Sequence, residues 1–368
     1  MTQILTSQWW WIILVVGFAA SVLFCRVVDS IARRLGLLDQ PSPRRIHTVP
    51  KPRLGGLGML AVYVPLSLAI AFISLPHSFI PRFLGGLGCA VFIALVMVID
   101  DIRGLSPVIK LLFQFVAAGG AILFGIRIDH VSTPFNNPFD PNLIAPPLTL
   151  PLFLAIPVTL LWFPVMMNAV NALDGIDGLA SGVTAIAAVA LGFHTLRYMA
   201  GEQGIVQLML LLSAVCLGFL VWNWPPSRMI MGDTGAHFLG YLLALLSILG
   251  GARLATALLV LGLPILDFAY TVYSRVRHGK APMHFDLGHL HHRLLSAGLA
   301  PQAILGLLYS LTALAGIAAL FLEKTQKFFA FLLLFILAFV IIVLLPRRLS
   351  TQKYAKEEQK PVSTSSGD

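Results

Sequence analysis

Long apolar runs alternate with short polar connections along nearly the whole chain. Each run approaches the roughly 20 residues that a helix needs to cross the hydrocarbon layer. About eleven such stretches can be counted on that criterion. They begin near Trp9, Gly55, Pro81, Ser106, Leu148, Gly178, Ile205, Ala236, Leu254, Gln302 and Lys327. Closed barrels are the only other way to satisfy backbone polar groups in lipid, and their strands alternate in hydrophobicity. These runs do not alternate. The expectation is an all-α, polytopic integral membrane protein with its membrane domain over residues 1–346. The polar tail, residues 347–368, reads as a short disordered end.

Composition supports this reading. The chain has 368 residues, of which 58% are hydrophobic and 11% charged. Its mean hydropathy is +0.87. Soluble domains carry roughly 25% charged residues, so one water-exposed core is excluded. No Lys or Arg occurs from Met1 to Gln8, and no small-residue cleavage site follows the first run, so that run is expected to stay as a membrane helix. Cys25, Cys89 and Cys216 are scattered in apolar runs and read as small hydrophobes.

The net charge of +9 is unevenly placed. One alternating set of connections holds Arg33, Arg34, Arg44, Arg45, Lys51, Arg53, Arg103, Arg228, Arg275, Arg277, Lys280, Arg293 and the basic tail. The other holds only Arg82, Arg127, Arg197, Arg253, Lys324 and Lys327. The richer set should be cytoplasmic, which places the N-terminus outside and the C-terminus inside. The basic charge therefore faces the inner membrane surface; no nucleic-acid stripe is present. LGGLG occurs at Leu54–Gly58 and again at Leu84–Gly88, at opposite membrane faces, and reads as close helix packing by small residues.

The few acids gather at one face. Asp100 and Asp101 end the third run, Asp174 and Asp177 follow the fifth, and Asp233 precedes the eighth. A secondary transporter would place ionisable groups near the midplane instead. Asp100-Asp101 suits a divalent cation or a solvated helix end, with Lys110 placed to reach phosphate. The stretch Asn168 to Gly178 offers hard oxygen ligands of the kind Mg²⁺ takes, or an ordinary polar turn. Gly232-Asp233-Thr234-Gly235 opens a helix, either as an N-cap or as amides and a carboxylate aimed at a phosphate–metal pair. His284, Asp286, His289, His291, His292 and Arg293 form a run able to hold Zn²⁺ or a pyrophosphate. Arg275, Arg277 and Lys280 nearby favour the anion. Asp267, inside the ninth run, is either catalytic or paired, with an arginine as the expected partner. No phosphate loop, zincin helix or nucleophile elbow occurs.

Five blocks in order resemble the polyprenyl-phosphate N-acetylhexosamine-1-phosphate transferase family, of the glycosyltransferase family 4 type. They are RRIHTVPKPRLGG, IDDIRGLSPVIKLLFQ, NAVNALDGIDGLASG, MGDTGAHFLGY and PILDFAYTVYSRVRHGKAP followed by DLGHLHHRLL. That family includes the phospho-MurNAc-pentapeptide translocases and the GlcNAc-1-phosphate transferases that start O-antigen or teichoic-acid linkage synthesis. His289-Leu-His291-His292-Arg293 is similar to the pattern of the second branch, and Arg53 stands where the first branch often has Thr. Ile230 departs from the Phe common before Met-Gly-Asp.

The resemblance implies a UDP-sugar donor, an undecaprenyl phosphate acceptor and a bacterial inner membrane with the site on its cytoplasmic face. It implies Mg²⁺, with Mn²⁺ as a substitute, ligated by Asp233 and Asn171. Lys110 would contact the pyrophosphate, with Arg53 in the substrate-binding set. Asp174, Gly175, Ile176, Asp177 and Asn223 would line the nucleoside site. Asp100 would deprotonate or orient the lipid phosphate, with Asp101 in support, and His289, His291, His292 and Arg293 would surround sugar and phosphate. A one-step and a covalent two-step route both remain open, as does a homodimer. The competing classes are a transporter of polar or lipid-linked cargo and a scaffold with a decayed site.

Overall fold

The computed structural model describes residues 2–40, 49–131, 148–199, 202–251, 254–279, 281 and 288–344. The expected polar tail, most of the loop from Asp129 to Pro147, and Arg44, Arg45, Arg253, Lys280, His284 and Asp286 lie outside the described residues. The chain forms helices α1 (Thr2–Arg34), α2 (Gly55–Ser74), α3 (Ile80–Arg103), α4 (Pro107–Leu123), α5 (Leu152–Leu173), α6 (Leu179–Tyr198), α7 (Gln203–Asn223) and α8 (Gly232–Leu249). Then follow α9 (Leu254–Val260), α10 (Gly262–Arg277), α11 (Leu290–Ser296), α12 (Pro301–Phe321) and α13 (Lys324–Leu344). Among the described residues, 8 helices are long and apolar enough to cross a membrane: α1, α2, α3, α5, α6, α7, α8 and α12. The protein is an α-helical, multi-pass membrane protein.

The structure departs from the sequence expectation in three places. Two small antiparallel ladders accompany the helices: β1 (Leu38–Asp39) with β2 (Lys51–Pro52), and β3 (His130–Val131) with β4 (Leu148–Thr149). The fifth apolar stretch thus begins as a strand at Leu148, and its helix starts at Leu152, after Pro151. The ninth stretch is not one helix. It breaks at Leu261 into α9 and α10, where Gly262 lowers helix preference and Pro264 lacks an amide hydrogen.

Burial sorts the helices into layers. In α8, α7 and α6, 89%, 83% and 78% of the best apolar window is buried inside the protein, against 17% in α1. The first three form the centre, and α1 shows its apolar side chains outward, as a lipid-facing helix must. α8 packs on α2, α3 and α5, and α7 on α1, α2 and α6. Both LGGLG copies serve close packing, as expected. A Cβ on Gly56 would collide with the backbone of Gly235, and one on Gly85 with the Phe124 ring. Helix ends follow local chemistry. Ser106 accepts the Ile109 amide, and Pro107 takes the first helical position of α4, where no amide partner is needed. The C-termini of α3, α5 and α7 and the N-termini of α4, α6 and α8 meet at one end of the bundle, and that end carries the acids.

Candidate active site

The adjacent pair Asp100-Asp101 ends α3, and its two members do different things. Asp101 reaches across to the start of α8, where its carboxylate accepts the Asp233 amide at 2.9 Å, the Thr234 amide at 3.0 Å and the Thr234 hydroxyl at 2.7 Å. The first turn of a helix leaves amides without partners, and a carboxylate there also meets the positive end of the helix dipole. Asp101 is therefore the cap of α8, supplied by another helix. Neither Asp233 nor Thr234 caps α8 itself, and their amides, at the helix start expected to face a phosphate, are already occupied. Gly232 makes this approach feasible: its φ is +77°, and a Cβ would collide with the Arg53 carbonyl and crowd the Asp101 carboxylate.

Asp100 turns the other way. It is buried, accepts the Leu105 amide at 2.6 Å, and holds the Lys110 ammonium at 2.5 Å. That ammonium lies 2.5 Å from Asp233 as well. Arg53 closes the group, with its guanidinium 3.2 Å from Asp101 and 3.6 Å from Asp233. It is carried in by the β2–α2 connection, because Ile230 donates to Pro52, and Gly55 and Gly56 donate to Ile230 and Met231. One oxygen from each of Asp100, Asp101 and Asp233 lies within 4.8 Å of the others. All three donors are hard oxygens on one face, which fits a small divalent cation. Three carboxylates against two cations also leave the group short of positive charge.

The turn after α5 lies beside this cluster. Burial, helped by the charges of Asp233, Asp101 and Asp177, raises the Asp174 carboxyl well above the usual carboxylate range. Ile176 is buried against the core, and Asn171 is half-buried in the last turn of α5. Asp177 accepts the Ser227 amide at 2.9 Å and Lys51 at 3.3 Å, and Lys51 also donates to the Ser227 hydroxyl at 2.8 Å. Asn223, at the end of α7, accepts the Gly178 amide at 2.8 Å and donates to the Met229 carbonyl at 2.9 Å. Asp177 and Asn223 thus hold the turn in place with the groups that were expected to meet a nucleoside.

The histidine segment arrives from the far side. His289 precedes the seven-residue α11, with Nδ1 2.9 Å from Asp267, whose other oxygen accepts the Leu290 amide at 2.7 Å. The Asp267 partner is a histidine and an amide, not the expected arginine. The polar start of α11 falls within reach of α10, whereas the nearby Arg293 donates to the Gly288 carbonyl at 2.7 Å and sits 5.3 Å over the Tyr270 ring. His291 is buried, and its Nε2 has no hydrogen-bond partner among the described residues. Burial and the neighbouring His292 and His289 hold its imidazole well below the usual histidine range. A Cβ on Gly175 would collide with that Nε2. The two regions therefore meet at the 174–178 turn.

Two residues of this site were missed in the sequence. Lys51 stands in the first matching block, where its charge is its only signal. His237, one turn into α8, places Nδ1 2.8 Å from the Asp233 carbonyl; the position in MGDTGAHFLGY was its only signal.

Residues 83–251 match the glycosyl transferase family 4 pattern. A probable undecaprenyl-phosphate N-acetylglucosaminyl 1-phosphate transferase of Bacillus subtilis is 30% identical over 339 residues, covering 88% of this chain and 89% of its own. The chain belongs to glycosyl transferase family 4. Within that family it groups with the undecaprenyl-phosphate GlcNAc-1-phosphate transferases. A decaprenyl-phosphate N-acetylglucosaminephosphotransferase of Mycobacterium leprae is 28% identical over 80% of this chain and 79% of its own. A phospho-N-acetylmuramoyl-pentapeptide-transferase of Synechococcus is 31% identical over 72% of this chain and 76% of its own.

Proposed function

We propose that this family 4 transferase moves GlcNAc-1-phosphate from UDP-GlcNAc to undecaprenyl phosphate and releases UMP. The observation that carries this reading is the Lys110 ammonium held between Asp100 and Asp233 at the end of the bundle. There a water-soluble nucleotide and a lipid headgroup can both arrive. An oxygen of the lipid phosphate attacks the β-phosphorus of the donor. A new P–O–P bond forms, and the bond from that phosphorus to the oxygen bridging to UMP breaks, with UMP keeping the oxygen.

Phosphoryl transfer depends mostly on positioning and charge neutralisation. Lys110 supplies a placed cation for the pyrophosphate, and Asp100 aims it. Both Asp100 oxygens are engaged, so a role as base toward the acceptor requires Lys110 to pass to phosphate first. Arg53 and Arg293 offer guanidinium donors suited to phosphate oxygens. Asp233 and Asn171 would hold Mg²⁺, or Mn²⁺ in its place, which when bound neutralises charge on the pyrophosphate. Asp174, Gly175 and Ile176 would border the nucleoside. The Lys/Arg asymmetry supports an outside N-terminus and a site on the cytoplasmic face of the inner membrane. The His289 to Arg293 pattern supports the GlcNAc donor over the pentapeptide donor.

The test is purified protein with undecaprenyl phosphate, Mg²⁺ and a panel of labelled UDP-sugars, scored for UMP. Release is expected with UDP-GlcNAc, only with lipid and metal together. Faster release from UDP-MurNAc-pentapeptide would move the chain to the other branch, and release in EDTA would reject the metal.

A further inference from the structure

Asp267 lies on α10, which supplies none of the three clustered carboxylates or their two cations, and is 3% exposed. Both of its oxygens are spent on one target. One accepts the Leu290 amide at 2.7 Å, and the other lies 2.9 Å from His289 Nδ1. With the Asp267 oxygen as the acceptor, Nδ1 carries the hydrogen. The Thr271 hydroxyl lies 3.4 Å from the same nitrogen and closes that side further. The hydrogen bond at one ring nitrogen decides what the other can do. Nε2 is then the ring nitrogen of His289 left for a ligand.

The second consequence is mechanical. α11 has seven residues and no side-chain cap of its own. So short a helix has little stability in isolation. Its start is fixed from outside, by Asp267. The His289 and His291 rings stack with planes 5° apart and centroids 5.8 Å apart, and His291 rests on Gly175. Turning His289 would therefore disturb the contact between the histidine segment and the turn beside the acids.

We propose that Asp267 is the positioning residue of the histidine segment: it seats α11 and commits Nδ1 of His289 as a donor, so that Nε2 meets the donor substrate. This rests on the reading of the site as one for a UDP-sugar.

Asp267→Asn is the decisive variant. It keeps the volume and one oxygen for the Leu290 amide, but turns an N–H toward Nδ1, which must then give up its hydrogen. We expect kcat to fall about 10–100-fold, the range for losing an orienting partner. KM for the UDP-sugar should stay within about threefold and the unfolding temperature near that of the wild type. Added to His289→Ala, the substitution should lower the rate less than about twofold more, because both act through one ring. In protein carrying ¹⁵N-histidine, the His289 Nδ1 resonance should move from the protonated to the unprotonated position. Asp267→Glu, which keeps a carboxylate for Nδ1, should hold that resonance in place and stay within about tenfold of wild-type rate.

Wild-type kcat in Asp267→Asn, an unmoved Nδ1 resonance, or additive losses with His289→Ala would each reduce Asp267 to a helix cap and overturn the proposal. So would a Glu variant as slow as the Asn variant with its resonance in place. A wild-type protein that releases no UMP from any UDP-sugar would defeat the function instead. The nitrogen resonances would still decide whether Asp267 sets the tautomer.

Discussion

The acid cluster and the histidine segment are built on the same device with opposite consequences. In each, an aspartate on one helix caps the first turn of another: Asp101 for α8, and Asp267 for α11. Asp101 caps an 18-residue helix in the buried centre, among two further carboxylates and two cations. Asp267 caps a seven-residue helix and answers to a single histidine. The first region is held by the whole bundle and is short of positive charge, so it is ready for cations and what they bring. The second starts at one carboxylate, seats Leu290 and Leu294 in the core and is rich in donors, so it is ready for an anion. The same side-chain chemistry thus anchors a central platform in one region and the start of a short arm in the other, according to the length of the helix it caps.

The largest expected effect lies on the platform. Asp233→Asn removes an anionic oxygen with little change in volume. The rate should fall on the order of 10²–10³-fold, the scale for losing one placed electrostatic group. Amounts in the membrane should not change. A variant retaining a tenth of wild-type activity would show that the platform is not the reacting centre.

Gly175→Ala tests the joint between platform and arm. Its methyl group must displace His291, and a shift of about 1 Å in a positioned group can lower a rate by about 10²-fold. We expect a loss of 10–10²-fold, seen mostly with the UDP-sugar varied. Unchanged donor kinetics would mean that the two regions work independently.

Asp101→Ala should act on stability as well as rate. Loss of the α8 cap should lower stability by about 0.5–2 kcal/mol, read as an earlier thermal transition in detergent, and Asp101→Asn should recover part of it. Equal transitions in all three proteins would show that α8 does not need the cap.

The smallest effect concerns pH. His291 has a lowered pKa in the fold. Below the unfolded-state value of about 6.5 the unfolded chain binds a proton that the folded chain refuses, so stability falls as pH drops through that value. His291→Gln should flatten the thermal transition between about pH 7.5 and 5.5. A slope equal to that of the wild type would place the titration elsewhere.

Much of this was legible in the sequence, for definite reasons. Apolar runs report helices directly, since lipid demands them, and each of the expected starts except Leu148, which lies in β4, falls in or beside a helix. Asp100, Lys110 and Asp233 were readable because acids and a lysine are conspicuous where a run ends. Their partners were not. Asp101 finds its amides 132 and 133 residues away, and Asp177 finds Lys51 126 residues away. Nothing periodic links such positions. The Asp267–His289 pair spans only 22 residues, yet the sequence points to an arginine as the partner, because charge is visible in a sequence and ring orientation is not. The break in the ninth stretch did have a signal in Gly262 and Pro264, outweighed by the hydropathy around them.

The burial of α8 bears on how the protein is made. Its span has a mean hydropathy of 1.3, against 2.4 for α7, and it carries Asp233, Thr234, His237 and Ser247. Released alone into lipid, such a segment would expose polar groups that the hydrocarbon layer penalises. The helices that wrap it, α2, α3 and α5, all precede it in the chain. When α8 leaves the ribosome its berth is already in the membrane, and the polar side chains that the site requires can enter through protein rather than through fat.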